Sequence, residues 1–217
     1  MKRIIWICIS LVLLVTSSAF ALTIYVDKGN TTGIEDGTSD HPYSTIQIAV
    51  NMASSGDLVD VQIGTYYENV QITKSLTLKA ASTGIAKIIA VNPYASTVDI
   101  RSDGVQVSGF VVTGGNWGNV GGGITLNAQK NCVISNNTIE GNGNGIYLDG
   151  ATNNSIKNNI IRNNSGAGIQ LGGYRGANEN IVMGNEISKN GVGIGVGGHN
   201  NVITDNNLIQ NGNGISV

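Results

Sequence analysis

The sequence predicts an all-β solenoid of parallel strands, three to a coil, closed at its start by one short α-helix. The first observation is a unit written four times between residues 131 and 213: an aliphatic residue, Asn three positions on, a second aliphatic at five and a second Asn at eight. The copies are Ile134, Asn137, Ile139, Asn142; Ile156, Asn159, Ile161, Asn164; Val182, Asn185, Ile187, Asn190; and Ile203, Asn206, Leu208, Asn211. Their offsets of 22, 26 and 21 residues are kept by all four columns, which is how stacked supersecondary units register in sequence. The second observation is a glycine-led pair that recurs once per coil: Ile124/Leu126, Ile146/Leu148, Ile169/Leu171, Ile194/Val196 and Ile215/Val217. Val98/Ile100 lies 26 residues before the first of these. The third is that the longest repeat takes its extra residues in one place, Gly172 to Asn178.

The elements follow in order. Residues 1–21 read as a secretory leader, with Lys2 and Arg3 ahead of an apolar run from Ile4 to Val15 and a small-residue cleavage signal at Ala19-Phe20-Ala21. Residues 22–57 hold a leading strand (Leu22 to Val26) and a cap helix. Ile46, Ala49, Val50 and Ala53 fall at i, i+3, i+4 and i+7, so Ser44 to Ala53 is predicted helical with Ser44 as N-cap. Residues 58–217 form the coils. Alternation at Val59/Val61/Ile63, Val70/Ile72, Leu76/Leu78 and around Ile88 gives the less regular early strands. In the regular part each coil contributes Gly-Ile-x-Leu, then x-Ile, then Asn-x-Ile, with the aliphatic groups inward. The repeated asparagines are assigned to the bends, where Asn tolerates left-handed backbone and aligned amides can bond from coil to coil. A third ladder is expected at Asn131, Asn153 and Asn200, interrupted by Glu179. Asn-x-Ser/Thr matches such as Asn136 and Asn153 fall inside this packed repeat, so they are read as structural.

Composition narrows the function classes. Apart from the leader's Cys8 the chain has one cysteine, Cys132, so no intrachain disulfide is available. The formal net charge is −2, and more negative once Lys2 and Arg3 are set aside, with no basic run; this argues against a nucleic-acid partner. The leader points to a secreted or cell-envelope protein, and no membrane span is expected in the chain after it. Glycine is heavily used, at 31 residues, against only two prolines, which argues against a proline-rich disordered tract.

The run from His41 to Val61, with Gly64-Thr-Tyr-Tyr-Glu-Asn-Val and Lys74-Ser-Leu-Thr-Leu, resembles the head of secreted right-handed parallel β-helix repeat proteins of the pectate-lyase-like superfamily. With the Asn-rich coils, the resemblance covers essentially the whole chain after the leader. It implies a right-handed, single-stranded parallel β-helix. It leaves the activity open, because the superfamily includes pectate lyases, pectinesterases, polygalacturonases, epimerases, adhesins and a copper-accessory protein of nitrous-oxide reduction. The polygalacturonase strings survive only as Asn137-Thr138-Ile139, Gly198-His199-Asn200 and Ser155-Ile156-Lys157, each without its chemical residues, and the pectinesterase likeness stops before any catalytic aspartate. No catalytic set carries over. An enzyme of this kind would be a polysaccharide lyase, hydrolase or epimerase.

The residues that remain of interest lie on one face. Outward positions beside the Gly-Ile-x-Leu strand include Asn127, Tyr147, Asp149 and Gln170, and the insertion adds Tyr174 and Arg175; aromatic planes with hydrogen-bonding groups suit a sugar chain. Asp99, Arg101 and Asp103 alternate on one strand as a second acidic-basic cluster, and Glu140 and Arg162 should pair across coils. No metal site and no cofactor are predicted. Calcium, used by pectate lyases of this superfamily, finds no Asp-rich repeat, and copper finds only His41, His199, Met52, Met183 and Cys132, with His199 and Met183 in different columns. The function predicted is binding or processing of extracellular polysaccharide. A non-enzymatic envelope or adhesion scaffold is the first alternative, and a periplasmic copper-accessory protein the second. Val217 ends halfway round a coil, so further coils or a capping partner are expected at that end.

Overall fold

The computed structural model describes residues 21–82, 85–116 and 122–217; the predicted leader lies outside them. The chain is a right-handed parallel β-helix whose strands form three sheets around one interior. Sheet 1 stacks Thr23–Val26, Leu58–Val61, Thr77–Ala80, Gln106–Ser108, Val133–Ser135, Ser155–Lys157, Ile181–Met183 and Val202–Thr204. Sheet 2 stacks Gly64–Tyr67, Ala86–Ile89, Val111–Thr113, Thr138–Glu140, Ile160–Arg162, Glu186–Ser188 and Asn207–Ile209. Sheet 3 stacks Val70–Ile72, Val98–Ile100, Gly122–Asn127, Asn144–Asp149, Ala167–Leu171, Val192–Val196 and Asn213–Ser216.

Register turns sequence periodicity into an internal stack. In sheet 1, Ile24, Val59, Leu78, Val107, Ile134, Ile156, Val182 and Ile203 pair in succession. Sheet 2 aligns Tyr66, Ile88, Val112, Ile139, Ile161, Ile187 and Leu208 in the same way. Sheet 3 contributes two columns, from Val70 to Ile215 and from Ile72 to Val196. Most of these side chains are fully buried, whereas Ile203 and Leu208 are partly exposed and Ile215 is 53% exposed. The glycine near the start of the sheet-3 strands from Gly123 to Gly193 is steric. A Cβ on Gly145 would sit 2.5 Å from Gly168 O and 2.7 Å from Ile161 Cγ2.

The bends divide their work between neighbouring residues. Each ladder Asn offers one Oδ1 to two donors of the Asn one coil earlier. Asn137 donates through its backbone N–H (3.0 Å) and its Nδ2 (3.1 Å) to Asn159 Oδ1, and the pattern repeats to Asn185 and Asn206. The second ladder runs from Asn142 through Asn164 and Asn190 to Asn211. The left-handed backbone belongs to the residue before the ladder, not to the ladder itself: Asn136, Asn158, Gly184 and Asp205 at one bend, and Gly141, Asn163, Lys189 and Gln210 at the next.

This division corrects the expected third ladder. Asn131, Asn153, Glu179 and Asn200 are the left-handed corner, at φ of 56–59°. The ladder lies one residue later, from Asn154 through Asn180 to Asn201, and ends on the backbone N–H of Cys132. Glu179 therefore breaks nothing. It occupies a corner that only needs a short excursion to positive φ.

The helix is shorter than predicted, Ile46–Met52, and its N-cap is Thr45, whose side chain accepts from Ile48 N; Ser44 has no such role. Glu68 accepts from Ile46 N and Gln47 N (2.9 Å each), so a carboxylate just beyond the first sheet-2 strand holds the helix N-terminus. Ile46, Ala49 and Val50 face the first coil. Ile63, expected inward, is 60% exposed just beyond the end of its strand. Glu140 and Arg162 pair as expected at 2.8 Å, but both are solvated and contribute at most about 1 kcal/mol.

Two measurements follow. Replacing Asn159 by Leu strands two buried donors of Asn137, and should cost about 2–4 kcal/mol in urea unfolding with the slope unchanged; a loss below about 0.5 kcal/mol contradicts the ladder. Burial, reinforced by Asp27 and Glu68, pushes the Tyr66 phenol from 10.0 up to about 12. The folded value is the higher one, so the stability held by the neutral phenol is complete below pH 10. It drains away between pH 10 and about 12, by roughly 2–3 kcal/mol. Tyr66→Phe should flatten that decline; an unchanged alkaline profile would count against the assignment.

Candidate functional site

Sheet 3 turns one column of side chains outward along its whole length: Gln71, Asp99, Thr125, Tyr147, Gln170, Gly195 and Ser216, in register. Two clefts open on this face. The first, of about 530 Å³, has Gln71, Asp99 and Thr125 as its floor. One wall is the turn around Tyr94, which is 77% exposed. That turn is pinned by Asn69, whose amide donates to Asn92 O and Ser96 O and whose carbonyl accepts from Asn92 N at 2.8 Å. Arg101, Asn127 and Gln129 form the other wall.

The chemistry of this cleft is polar and nearly self-neutralised. Arg101 Nε meets Asp99 Oδ2 at 2.7 Å. The Gln71 carboxamide lies 2.9 Å from Arg101 Nη2, so its oxygen is the atom that faces the guanidinium. Ser96 and Thr125 share a hydrogen bond of 2.6 Å between their hydroxyls. Gln129 Oε1 is buried in the wall and accepts no hydrogen bond from the protein. Asp103, expected on the same strand as Asp99 and Arg101, instead lies in the turn beyond it and accepts from Lys130 N at 2.9 Å. The acidic-basic trio is therefore a pair.

The second cleft, of about 550 Å³, is lined by Tyr147 and Gln170 and by Gly166, Gly172 and Gly173. Here the expectation of an open aromatic face needs correcting. Tyr147 is only 2% exposed, because the insertion folds back across its ring as a strap. The strap is clasped by Asp149, itself 7% exposed. Its Oδ1 accepts from Arg175 N at 2.6 Å and Gly173 N at 3.3 Å, and its Oδ2 meets Arg175 Nε at 3.1 Å. Burial, with Asp149 and Tyr174 adding, raises the Tyr147 phenol above its ordinary value. Gln170 donates to Gly172 O at 2.7 Å. Tyr174, at the strap's tip, is 88% exposed.

Of the sequence-selected residues, then, Asn127 lines the first cleft, Tyr147 and Gln170 the second, Asp149 and Arg175 are the clasp, and Tyr174 stands in solvent. Sequence reasoning missed Gln71, Ser96, Thr125, Gln129 and Tyr94. The first and third were readable from the register of Val70/Ile72 with Val98/Ile100 and Ile124/Leu126; the Tyr94 turn has no repeat signature. The Asn-x-Ser/Thr asparagines Asn136 and Asn153 are exposed at left-handed corners, not packed. The match arises because corner Asn, ladder Asn and strand Thr or Ser follow one another.

The clasp predicts a protease phenotype. Removing Asp149 frees the strap's backbone, so Asp149→Ala should be nicked by trypsin after Arg175 about tenfold faster or more than the wild type. Equal rates would mean that the strap is held by something else.

A family model described as "Periplasmic copper-binding protein (NosD)" matches residues 50–217. A cell surface glycoprotein of Methanothermus fervidus is 38% identical over 100 residues, 45% of this chain and 16% of that protein. The chain thus spans well under two thirds of that relative's length. Among solved structures, a pectin methylesterase in complex with a hexasaccharide superposes with a TM-score of 0.66 at 13% identity, covering 88% of this chain and 67% of that one. Pectate lyase Pel9A gives 0.61 at 14% identity, covering 87% and 63%. At such identities the likeness to the two enzymes is one of fold.

Proposed function

The chain belongs to the NosD family of β-helix proteins, and on that premise we propose that it is an extracytoplasmic protein that holds a polysaccharide chain on sheet 3 without cleaving it. The family's periplasmic description and the surface-glycoprotein relative support a location outside the cytoplasm. No described helix is long and apolar enough to cross a membrane.

The observation that carries the binding reading is the first cleft. It combines an exposed aromatic plane, Tyr94, with amide, hydroxyl and guanidinium groups on a rigid parallel sheet. Gln129 Oε1 adds an acceptor without a donor, a deficit of about 1–3 kcal/mol that a ligand hydroxyl would relieve once the amide turned toward the cleft. Its fold neighbours, a pectin methylesterase with a bound hexasaccharide and a pectate lyase, lend support of the same kind.

The geometry disfavours glycoside hydrolysis. Glycoside hydrolysis uses two carboxyl groups flanking the bond, and the cleft lining holds one, Asp99, already paired with Arg101. The buried carboxylate of this face, Asp149, is spent on the strap.

The family description raises copper, and the described residues do not fit it. They hold no group of three or more His, Cys, Asp and Glu side chains suited to a metal. The candidate donors are scattered: Met52 is on the cap helix, Met183 in sheet 1, and His199 is at a corner where its backbone N–H donates to Asn178 Oδ1. Cys132 is 1% exposed, and burial raises its thiol away from the thiolate that copper takes. Copper handling is therefore not assigned to this segment.

Glycan-array binding of the wild type and Tyr94→Ala tests the proposal. We expect a polysaccharide ligand whose affinity falls about tenfold in the variant, with no release of shortened or unsaturated product. Identical profiles for the two proteins, or no glycan bound at all, would overturn it.

A further inference from the structure

Two aspartates are buried among the described residues, and they are treated differently. Asp149, 7% exposed, has the Arg175 guanidinium. Asp57, 4% exposed, is in none of the ion pairs formed among the described residues. Buried carboxylates without a cation are uncommon, because amide hydrogen bonds alone offset only part of the lost hydration. Asp57 Oδ2 accepts from Ser54 N at 2.7 Å, at the end of the cap helix. Its Oδ1 accepts from Leu22 N at 2.9 Å. Leu22 is the residue that follows Ala19-Phe20-Ala21, the cleavage signal.

We infer that Asp57 is the receptor for the new N-terminus made when the leader is removed after Ala21. Hydrolysis of the Ala21–Leu22 amide by a leader peptidase adds water across the bond. The carboxylate departs with the leader, and the nitrogen remains on Leu22 and takes up a proton. That nitrogen already lies against Asp57 Oδ1, so processing converts an amide hydrogen bond into a partly buried ion pair. Leu58 N donates to Leu22 O at 2.8 Å and fixes the residue in register at the edge of sheet 1. The pair ties three things together: the leading strand, the loop that ends the cap helix, and the first strand of the coils. Processing thereby tightens the lid on the open apolar end of the solenoid.

The test has two parts. Secreted protein, produced with its own leader, should begin at Leu22 by intact mass and N-terminal sequencing. Proteins with defined starts are then melted: one beginning at Leu22, one beginning at Ala21, and each again with Asp57→Asn. One retained residue moves the ammonium about 3.8 Å along the chain. The Leu22 start should melt about 2–6 °C above the Ala21 start, and Asp57→Asn should abolish that difference. A mature start elsewhere, equal melting of the two starts, or a difference that survives Asp57→Asn would each overturn the inference. The comparison of starts keeps Asp57 itself, so it stands even if the substituted proteins fold poorly.

Discussion

Every coil of this protein must turn three corners in few residues, and each corner leaves backbone N–H groups pointing along the stack with no strand partner. The asparagine ladder answers that constraint. One carboxamide oxygen accepts both the N–H and the Nδ2 of the asparagine a coil earlier, at 2.9–3.1 Å, and its own Nδ2 reaches back to a carbonyl: Asn159 Nδ2, for example, bonds Ile134 O at 3.0 Å. The side chains concerned are almost wholly buried. In that setting an unpaired amide is costly, so the ladder permits asparagine and little else. In the coils that carry it, the ladder fixes the corners and so helps hold the three strands in one register; the aliphatic columns themselves continue into the earlier coils without it.

This is why the coil architecture was legible in the sequence down to individual rungs. Ile134, Ile156, Val182 and Ile203 form a single internal stack, and Asn137 and Asn142 begin ladders, as their spacing implied. What failed was finer. Two adjacent asparagines can do two different jobs, one in turning and one in bonding, and composition does not separate them; the third ladder was misplaced by one residue for that reason. The helix start moved by one residue because Ser44 and Thr45 are equally good caps by residue type, and Glu68, which sets the end, lies 22 residues away in sequence.

The site was legible only where it borrows the repeat. Tyr147 and Gln170 were correctly placed on the outward column, but its burial depends on the strap, whose path is set by an Asp149–Arg175 contact 26 residues apart. Tyr94 stands on a turn outside the periodic pattern. These are consequences of tertiary closure, and no local spacing encodes them. The ladder uses the corner asparagines to hold the fold, whereas the outward column of sheet 3 lines the two clefts described above. The family name speaks of copper, yet the donors here are dispersed by the same geometry that stacks the coils.

The central claim is that the corner amides are locked from coil to coil. Native-state hydrogen exchange of the backbone N–H groups of Asn137, Asn142, Asn159 and Asn164 tests it most directly. All four donate to a buried ladder oxygen, so they should exchange only through global unfolding, among the slowest amides in the protein. Exchange of these amides by local opening, at rates like those of the surface turns, would contradict the account.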